Sequence, residues 1–228
     1  MKTSEKEWLA YLKDKELMKI PRMHTIILSP HPDDESLGAG GLIFDLRKNN
    51  VDVLIISITD GENAYPDAKN LGQIRRKEQE SALRILGVTK EKIIRLHLKD
   101  SAVKEAEKQL EQLILPFIDQ NVHLIAPWTG DYHADHEAVG RVALKLARQK
   151  KIHLSFYFFW TWQHSSILDM KNLTLFIYPL SRNAFHTKQK AIDCYTSQKS
   201  NKKNHPILPE SVLIPTMRSF EVYGQYDY

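Results

Sequence analysis

Cysteine is nearly absent from this chain of 228 residues: Cys194 stands alone, so no internal disulfide can form, and the composition fits a reducing cytoplasm. A single cysteine with no reactive motif around it reads as packing, not as a nucleophile. Long hydrophobic runs are also missing. No stretch approaches the ~18 to 20 apolar residues of a membrane helix, which argues against membrane insertion. The segment Met1 to Lys19 is charged and amphipathic and lacks the apolar core of a signal peptide. A strong excess of one charge is absent too: 32 Lys and Arg face 28 Asp and Glu. The basic residues gather at Lys145 to Lys151 and Lys199 to Lys203, without interleaved aromatics for base stacking, so nucleic acid is not an expected partner. There is no internal repeat, low-complexity tract or clear linker. Residues 1–228 therefore read as one domain, with an N-terminal helix (1–20) and a C-terminal tail (200–228) at its periphery.

The body of the chain alternates. Strand-like runs at His24–Ser29, Val51–Thr59, Ile93–Leu98 and Val122–Ala126 are separated by helix-like runs at Leu37–Arg47, Leu71–Leu86 and Ala102–Gln120, and another helix follows at His136–Arg148. This pattern predicts an α/β fold: a Rossmann-like three-layer sandwich with a mostly parallel sheet and helices on both faces. Trp8, Leu9, Leu12 and Leu17 form the apolar stripe of the N-terminal helix. Aromatic and β-branched runs follow at Leu154–Trp162 and Leu173–Tyr178, then a helix near Asn183–Thr196. The tail, Ser200 to Tyr228, reads as mostly irregular.

Two motifs carry chemistry. His31-Pro32-Asp33-Asp34-Glu35 sits on a turn at the C-terminal end of the first strand, beside a helix N-terminus, where open α/β sheets place ligands. Pro32 stiffens the turn. A helix cap accounts for one aspartate, but not for a second with a histidine three residues before it. The second motif, Asp131-Tyr132-His133-Ala134-Asp135-His136, occupies the same position after Val122–Ala126. In a parallel sheet both strand ends face one edge, so the two motifs can meet. The bland reading of the second makes Asp131 or Asp135 a helix cap and the histidines surface residues. Paired with the first, it offers metal ligands: either both histidines bind, or one binds and the other does chemistry. His31, Asp34 and one later histidine give the two-nitrogen, one-oxygen set of a catalytic zinc site; Fe2+ or another divalent metal suits the same set. Asp33 is the spare carboxylate, placed to accept a proton from water. Gly38, Gly40 and Gly41 lack the spacing of a dinucleotide loop, and the aspartates beside them would repel phosphate.

The chain resembles the LmbE/PIG-L family of metal-dependent N-acetylglucosaminyl deacetylases, from about His24 to about Gln198. The carriers are the His31–Glu35 turn with Gly38, Gly40 and Gly41, the loop Thr59-Asp60-Gly61-Glu62, Arg75, Glu78 and Leu86-Gly87, Asp100, His133-Ala134-Asp135-His136, and Lys190 to Gln198. The resemblance implies zinc on His31, Asp34 and His136, and Asp33 as general base. It implies His133 as the second catalytic group, acting as a protonated imidazole, with Asp135 orienting an imidazole, His133 by expectation. Arg75 and Asp100 would hold sugar hydroxyls, and Glu62 and Tyr132 would line the pocket. The implied substrate is a small N-acetylated amino sugar or glycoconjugate, and the products are acetate and a free amine. The alternatives are hydrolysis of another N-acyl substrate, or an inactive relative that binds a glycan. The oligomeric state is not legible.

Overall fold

A computed structural model describes residues 2–19, 22–65, 68–199 and 205–226. In chain order the elements are α1 (Glu5–Leu12), β1 (Glu16–Leu17), β2 (His24–Ser29), α2 (Asp34–Lys48), β3 (Val53–Thr59), α3 (Leu71–Ile85), β4 (Ile93–Leu98), α4 (Glu107–Ile114), β5 (Val122–Pro127), α5 (Ala134–Lys150), β6 (His153–Tyr157), α6 (Thr161–His164), β7 (Leu173–Pro179), α7 (Arg182–Ile192), α8 (Thr196–Lys199), α9 (Glu210–Leu213) and β8 (Phe220–Tyr226). The eight strands form one sheet in the order β1-β7-β8-β6-β5-β2-β3-β4. All neighbours run parallel except β8, which is antiparallel to both β6 and β7.

The central strands are buried on both faces, so they are apolar throughout and do not alternate. Successive residues still serve different layers. Ile26 and Leu28 join the cluster that packs with Trp8, Leu110 and Val139, from α1, α4 and α5. Ile27, between them, joins the cluster with Leu42, Leu83 and Ala191, from α2, α3 and α7. The result is the expected three-layer α/β sandwich.

The chain runs from β2 out through β3 to β4, then returns to the other side of β2 as β5. That reversal opens a crevice at the C-terminal ends of β2 and β5. Close packing draws two helices to the strand ends. A Cβ on Gly38 of α2 would lie 2.3 Å from the Tyr157 ring, and one on Gly140 of α5 would lie 2.6 Å from the Pro127 carbonyl oxygen. Among the described residues, no helix is long and apolar enough to cross a membrane.

The structure corrects the reading of the tail. Residues 220–226 are not irregular or peripheral: β8 lies inside the sheet, paired along its length with β7 from Leu173↔Tyr226 to Pro179↔Phe220. The N-terminal segment also divides. Trp8 and Leu12 are buried in α1, whereas Leu17 lies on the short edge strand β1 and is exposed. Residues 200–203 of the second basic run lie outside the described residues.

Candidate active site

His31 and the following turn close the end of β2. Asp33 has φ +148°, a conformation that L-residues adopt only when the surroundings enforce it, and its side chain makes no cap bond to α2. The turn is tied down by its neighbours: the His31 backbone N–H donates to Asp34 Oδ2 at 2.8 Å. Behind it Glu35 is fully buried and accepts from Ser29, Gln79 and Tyr195. At the end of β5, His133 leads into α5 with extended backbone angles, and His136 lies one turn further along.

The two motifs meet. The His31 and His136 ring centroids are 5.4 Å apart, and those of His31 and His133 are 4.8 Å apart. Asp34 Oδ2 lies 3.1 Å from His31 Nδ1 and 3.2 Å from His136 Nε2. Two ligand atoms on a tetrahedral zinc ion are about 3.3 Å apart, from bonds of ~2.0 to 2.1 Å. These two spacings match ligand pairs on a metal, but among the described residues His31, Asp34 and His136 are not one of the sets whose donor atoms all lie within 4.8 Å of one another. His136 Nε2 supports the fit: it is buried and has no hydrogen-bond partner. Donor atoms of His31, His133 and His136 lie within 4.8 Å of one another, as do those of His31, Asp100 and Asp135. Each of the two histidines beside Asp34 also has a carboxylate on its far nitrogen. His31 Nε2 is 3.2 Å from Asp100 and 3.3 Å from Asp135, and His136 Nδ1 is 2.8 Å from Asp131. Such partners fix the orientation of a ligating imidazole.

The electrostatics separate the neighbouring carboxylates. Burial and the Asp34 charge push Asp33 up to about 7, against the pull of the Arg75 guanidinium 3.0 Å away. Burial opposes the Asp34 charge as well, but His136 and His31 outweigh it and hold that carboxyl well below its usual range. Burial likewise opposes charge on His136, yet Asp34 and Asp131 raise it to about 9. His31 is raised well above its ordinary value because Asp100, Asp135 and Asp34 outweigh burial. A bound cation would take over the charge that these protons carry.

Three expectations change. Asp135 does not bond to His133: it contacts His31 and accepts the backbone N–H groups of Ser101 and Val103 at 2.8 and 3.1 Å. His133 is not a resting imidazolium, because burial and the charges of His136 and His31 lower it to about 4. Arg75 does not present a free guanidinium: it donates to Asp33, Pro32 and Gly61. Asp100 accepts the Asn63 backbone N–H at 2.9 Å and contacts His31.

A cavity of about 100 Å³, open to solvent on one side, lies over this cluster. His31, Asp33, Asp34, Arg75, Asp100 and His133 form its polar side. Ala64, Phe159, Trp160, Ile207 and Leu208 are its apolar lining residues. The Trp160 ring lies nearly parallel to His133, at 6.3 Å and 20°. Glu62 and Tyr132 are not in the cavity wall; Glu62 accepts the Asp100 backbone N–H, and Tyr132 is half exposed with its hydroxyl on Asp169. Cys194 follows α7, away from the cavity.

The family model described as PIG-L, GlcNAc-PI de-N-acetylase, matches residues 26–147, which span both motifs. The chain belongs to the PIG-L family. Over 132 residues it is 26% identical to the probable N-acetyl-alpha-D-glucosaminyl L-malate deacetylase 2 of Bacillus cereus, covering 54% of this chain and 60% of that protein. Over 128 residues it is 30% identical to the diacetylchitobiose deacetylase of Thermococcus kodakarensis, covering 53% of this chain and 47% of that protein. The match thus spans about half to three fifths of these relatives. The solved structure of N,N'-diacetylchitobiose deacetylase from Pyrococcus horikoshii shares the fold, with a TM-score of 0.62, 22% identity, and coverage of 88% of this chain and 82% of that one.

Proposed function

We propose that this PIG-L family protein hydrolyses the N-acetyl group of an N-acetylglucosamine-type sugar or glycoconjugate, using zinc held by His31, Asp34 and His136. The observation that carries the reading is the meeting of the two strand-end motifs: Asp33, Asp34, His31 and His133 line one cavity, with His136 Nε2 3.2 Å from Asp34. Asp33 is the carboxylate there placed to act as the base. The relatives named above are deacetylases of N-acetylated sugars, which supports the same substrate class.

A bound divalent ion would polarise the acetamide carbonyl and acidify a water molecule. Asp33 takes the proton of the attacking water, with Arg75 holding its carboxylate in place. His133 starts as a neutral imidazole. Developing negative charge on the substrate raises its proton affinity, so it can take up a proton from solvent as the tetrahedral species forms and deliver it to the leaving nitrogen, while Asp33 releases the water proton back to solvent. That nitrogen must be protonated, because an amide anion is a poor leaving group. Asp135 and Asp100 hold His31, and Asp131 holds His136. Asp100 is retained as a contact for sugar hydroxyls, and the Trp160 face packs on the sugar ring.

Acetate and free amine are measured from a panel of N-acetylglucosamine conjugates, with the chelated protein and after adding zinc or Fe2+. The expected result is equal release of both products from at least one conjugate, only with metal. Folded, metal-loaded protein that releases acetate from none of them would contradict the reading.

A further inference from the structure

Asp131 is fully buried and does not face the cavity. It is not a helix cap, since the first residue flanking α5 is His133 and no side chain caps that end. Its two oxygens look in different directions. Oδ2 accepts from His136 Nδ1 at 2.8 Å and from the Trp160 backbone N–H at 3.3 Å. Oδ1 accepts from the backbone N–H groups of Phe159 and Thr161, at 3.0 and 2.9 Å, and from the Thr161 hydroxyl. The turn it grips, residues 159–161, supplies Phe159 and Trp160 to the apolar cavity wall.

For His136 the consequence is a tautomer. A carboxylate accepts only, so Nδ1 keeps its proton, and the proton that a metal would displace is the one on Nε2, whose lone pair is then presented. Nε2 is the atom that lies 3.2 Å from Asp34 with no hydrogen-bond partner. The opposite tautomer would aim an N–H at the metal and set Nδ1 against the carboxylate.

We propose that Asp131 is a positioning residue that fixes His136 Nε2 as the metal donor and ties that ligand to the aromatic turn 159–161. The metal centre and the apolar wall of the cavity then form as one unit. The inference rests on the metal site proposed above, and wild-type zinc affinity is the control that keeps the two apart. If the wild type binds no zinc, the metal reading fails first.

Zinc affinity is measured by competition with a chromophoric chelator for the wild type, Asp131→Asn and Thr161→Val. In Asp131→Asn the amide oxygen can keep the Phe159 and Thr161 N–H groups, while its NH2 faces His136 Nδ1 and the Trp160 N–H and favours the wrong tautomer. Its zinc Kd is expected to rise about 10- to 100-fold, the scale for losing such a partner. Thr161→Val touches neither a ligand nor the cavity wall, and removes one donor from Asp131. Its Kd is expected to rise roughly two- to five-fold, as part of one hydrogen bond is lost. Nitrogen-15 correlation spectra of zinc-loaded wild type are expected to put the His136 proton on Nδ1, a readout that does not depend on any variant folding. A folded Asp131→Asn with a Kd within about twofold of wild type would overturn the proposal, as would a His136 proton on Nε2. An unchanged Kd in Thr161→Val would remove the tie to the turn.

Discussion

The two strand-end motifs share a plan and differ in where their carboxylates point. After β2, Asp33 and Asp34 both face the cavity. After β5, Asp131 and Asp135 do not; each turns onto the far nitrogen of an imidazole, Asp131 onto His136 and Asp135 onto His31. The first motif therefore lines the cavity with carboxylates, and the second turns its carboxylates into supports for imidazoles. The support also crosses over: Asp135, in the second motif, steadies the histidine of the first. A carboxylate's role here follows from what its oxygens touch, not from which residue it adjoins in sequence.

The largest effect expected from breaking this arrangement is at His136. His136→Ala removes a proposed ligand from the shared cluster, and elemental analysis is expected to show loss of about one metal per chain, with acetate release falling to background. Full metal content in this variant would remove His136 from the ligand set.

Next comes His133, which belongs to the same motif but has no carboxylate on its ring. His133→Ala is expected to keep its metal and lose roughly 100-fold in kcat, the lower part of the range for acid–base groups. A loss of metal with an unchanged rate per bound ion would make it a ligand instead. Asp135→Asn should cost less, roughly 10-fold in metal affinity, because it acts through His31 and its amide oxygen keeps one of the two backbone donors, Ser101 or Val103. If Asp135→Asn left metal affinity unchanged and altered only the pH profile of kcat, its partner would be His133 after all.

The last effect is on stability. In the metal-free chain His136 is held at about 9, above the ~6.5 of an unfolded histidine. Its contribution is complete below about pH 6.5 and is lost as pH rises through about 9. Asp33, raised to about 7 from the ~3.9 of an unfolded aspartate, acts in the same sense between those values. Chelated protein is expected to melt roughly 10 °C lower at about pH 9 than at about pH 6, from about 4 kcal/mol at roughly 2 to 4 °C per kcal/mol for a chain of this size. Saturating zinc should flatten that fall by taking the place of the protons. A melting temperature that rises over the same range without metal would contradict the charge arrangement.

Much of this was legible in the sequence. Strand–helix alternation fixed the sandwich, because buried parallel strands read as plain apolar runs. The two motifs announced themselves by position at strand ends. The partners within the site were harder. Asp131 resembles a helix cap from sequence alone, and only the fold brings Phe159–Thr161 across to it. Arg75 resembles a sugar-binding arginine until the turn places Asp33 within 3.0 Å. Strand β8 escaped notice because Glu221, Gly224 and Gln225 interrupt its apolar pattern, and its pairing with β7 is a contact between distant segments. Glu221 is buried there against Lys188 at 2.7 Å and the backbone N–H groups of Gly41 and Leu42.

The central claim is that two adjacent buried carboxylates do different work: Asp34 holds the metal and Asp33 moves the proton. Metal content and kcat measured side by side for Asp33→Asn and Asp34→Asn test it most directly, since each change is nearly isosteric. Asp33→Asn is predicted to retain about one ion per chain and lose roughly 100-fold or more in kcat. Asp34→Asn is predicted to lose the ion. Loss of metal in Asp33→Asn, or full metal content in Asp34→Asn, would contradict the account.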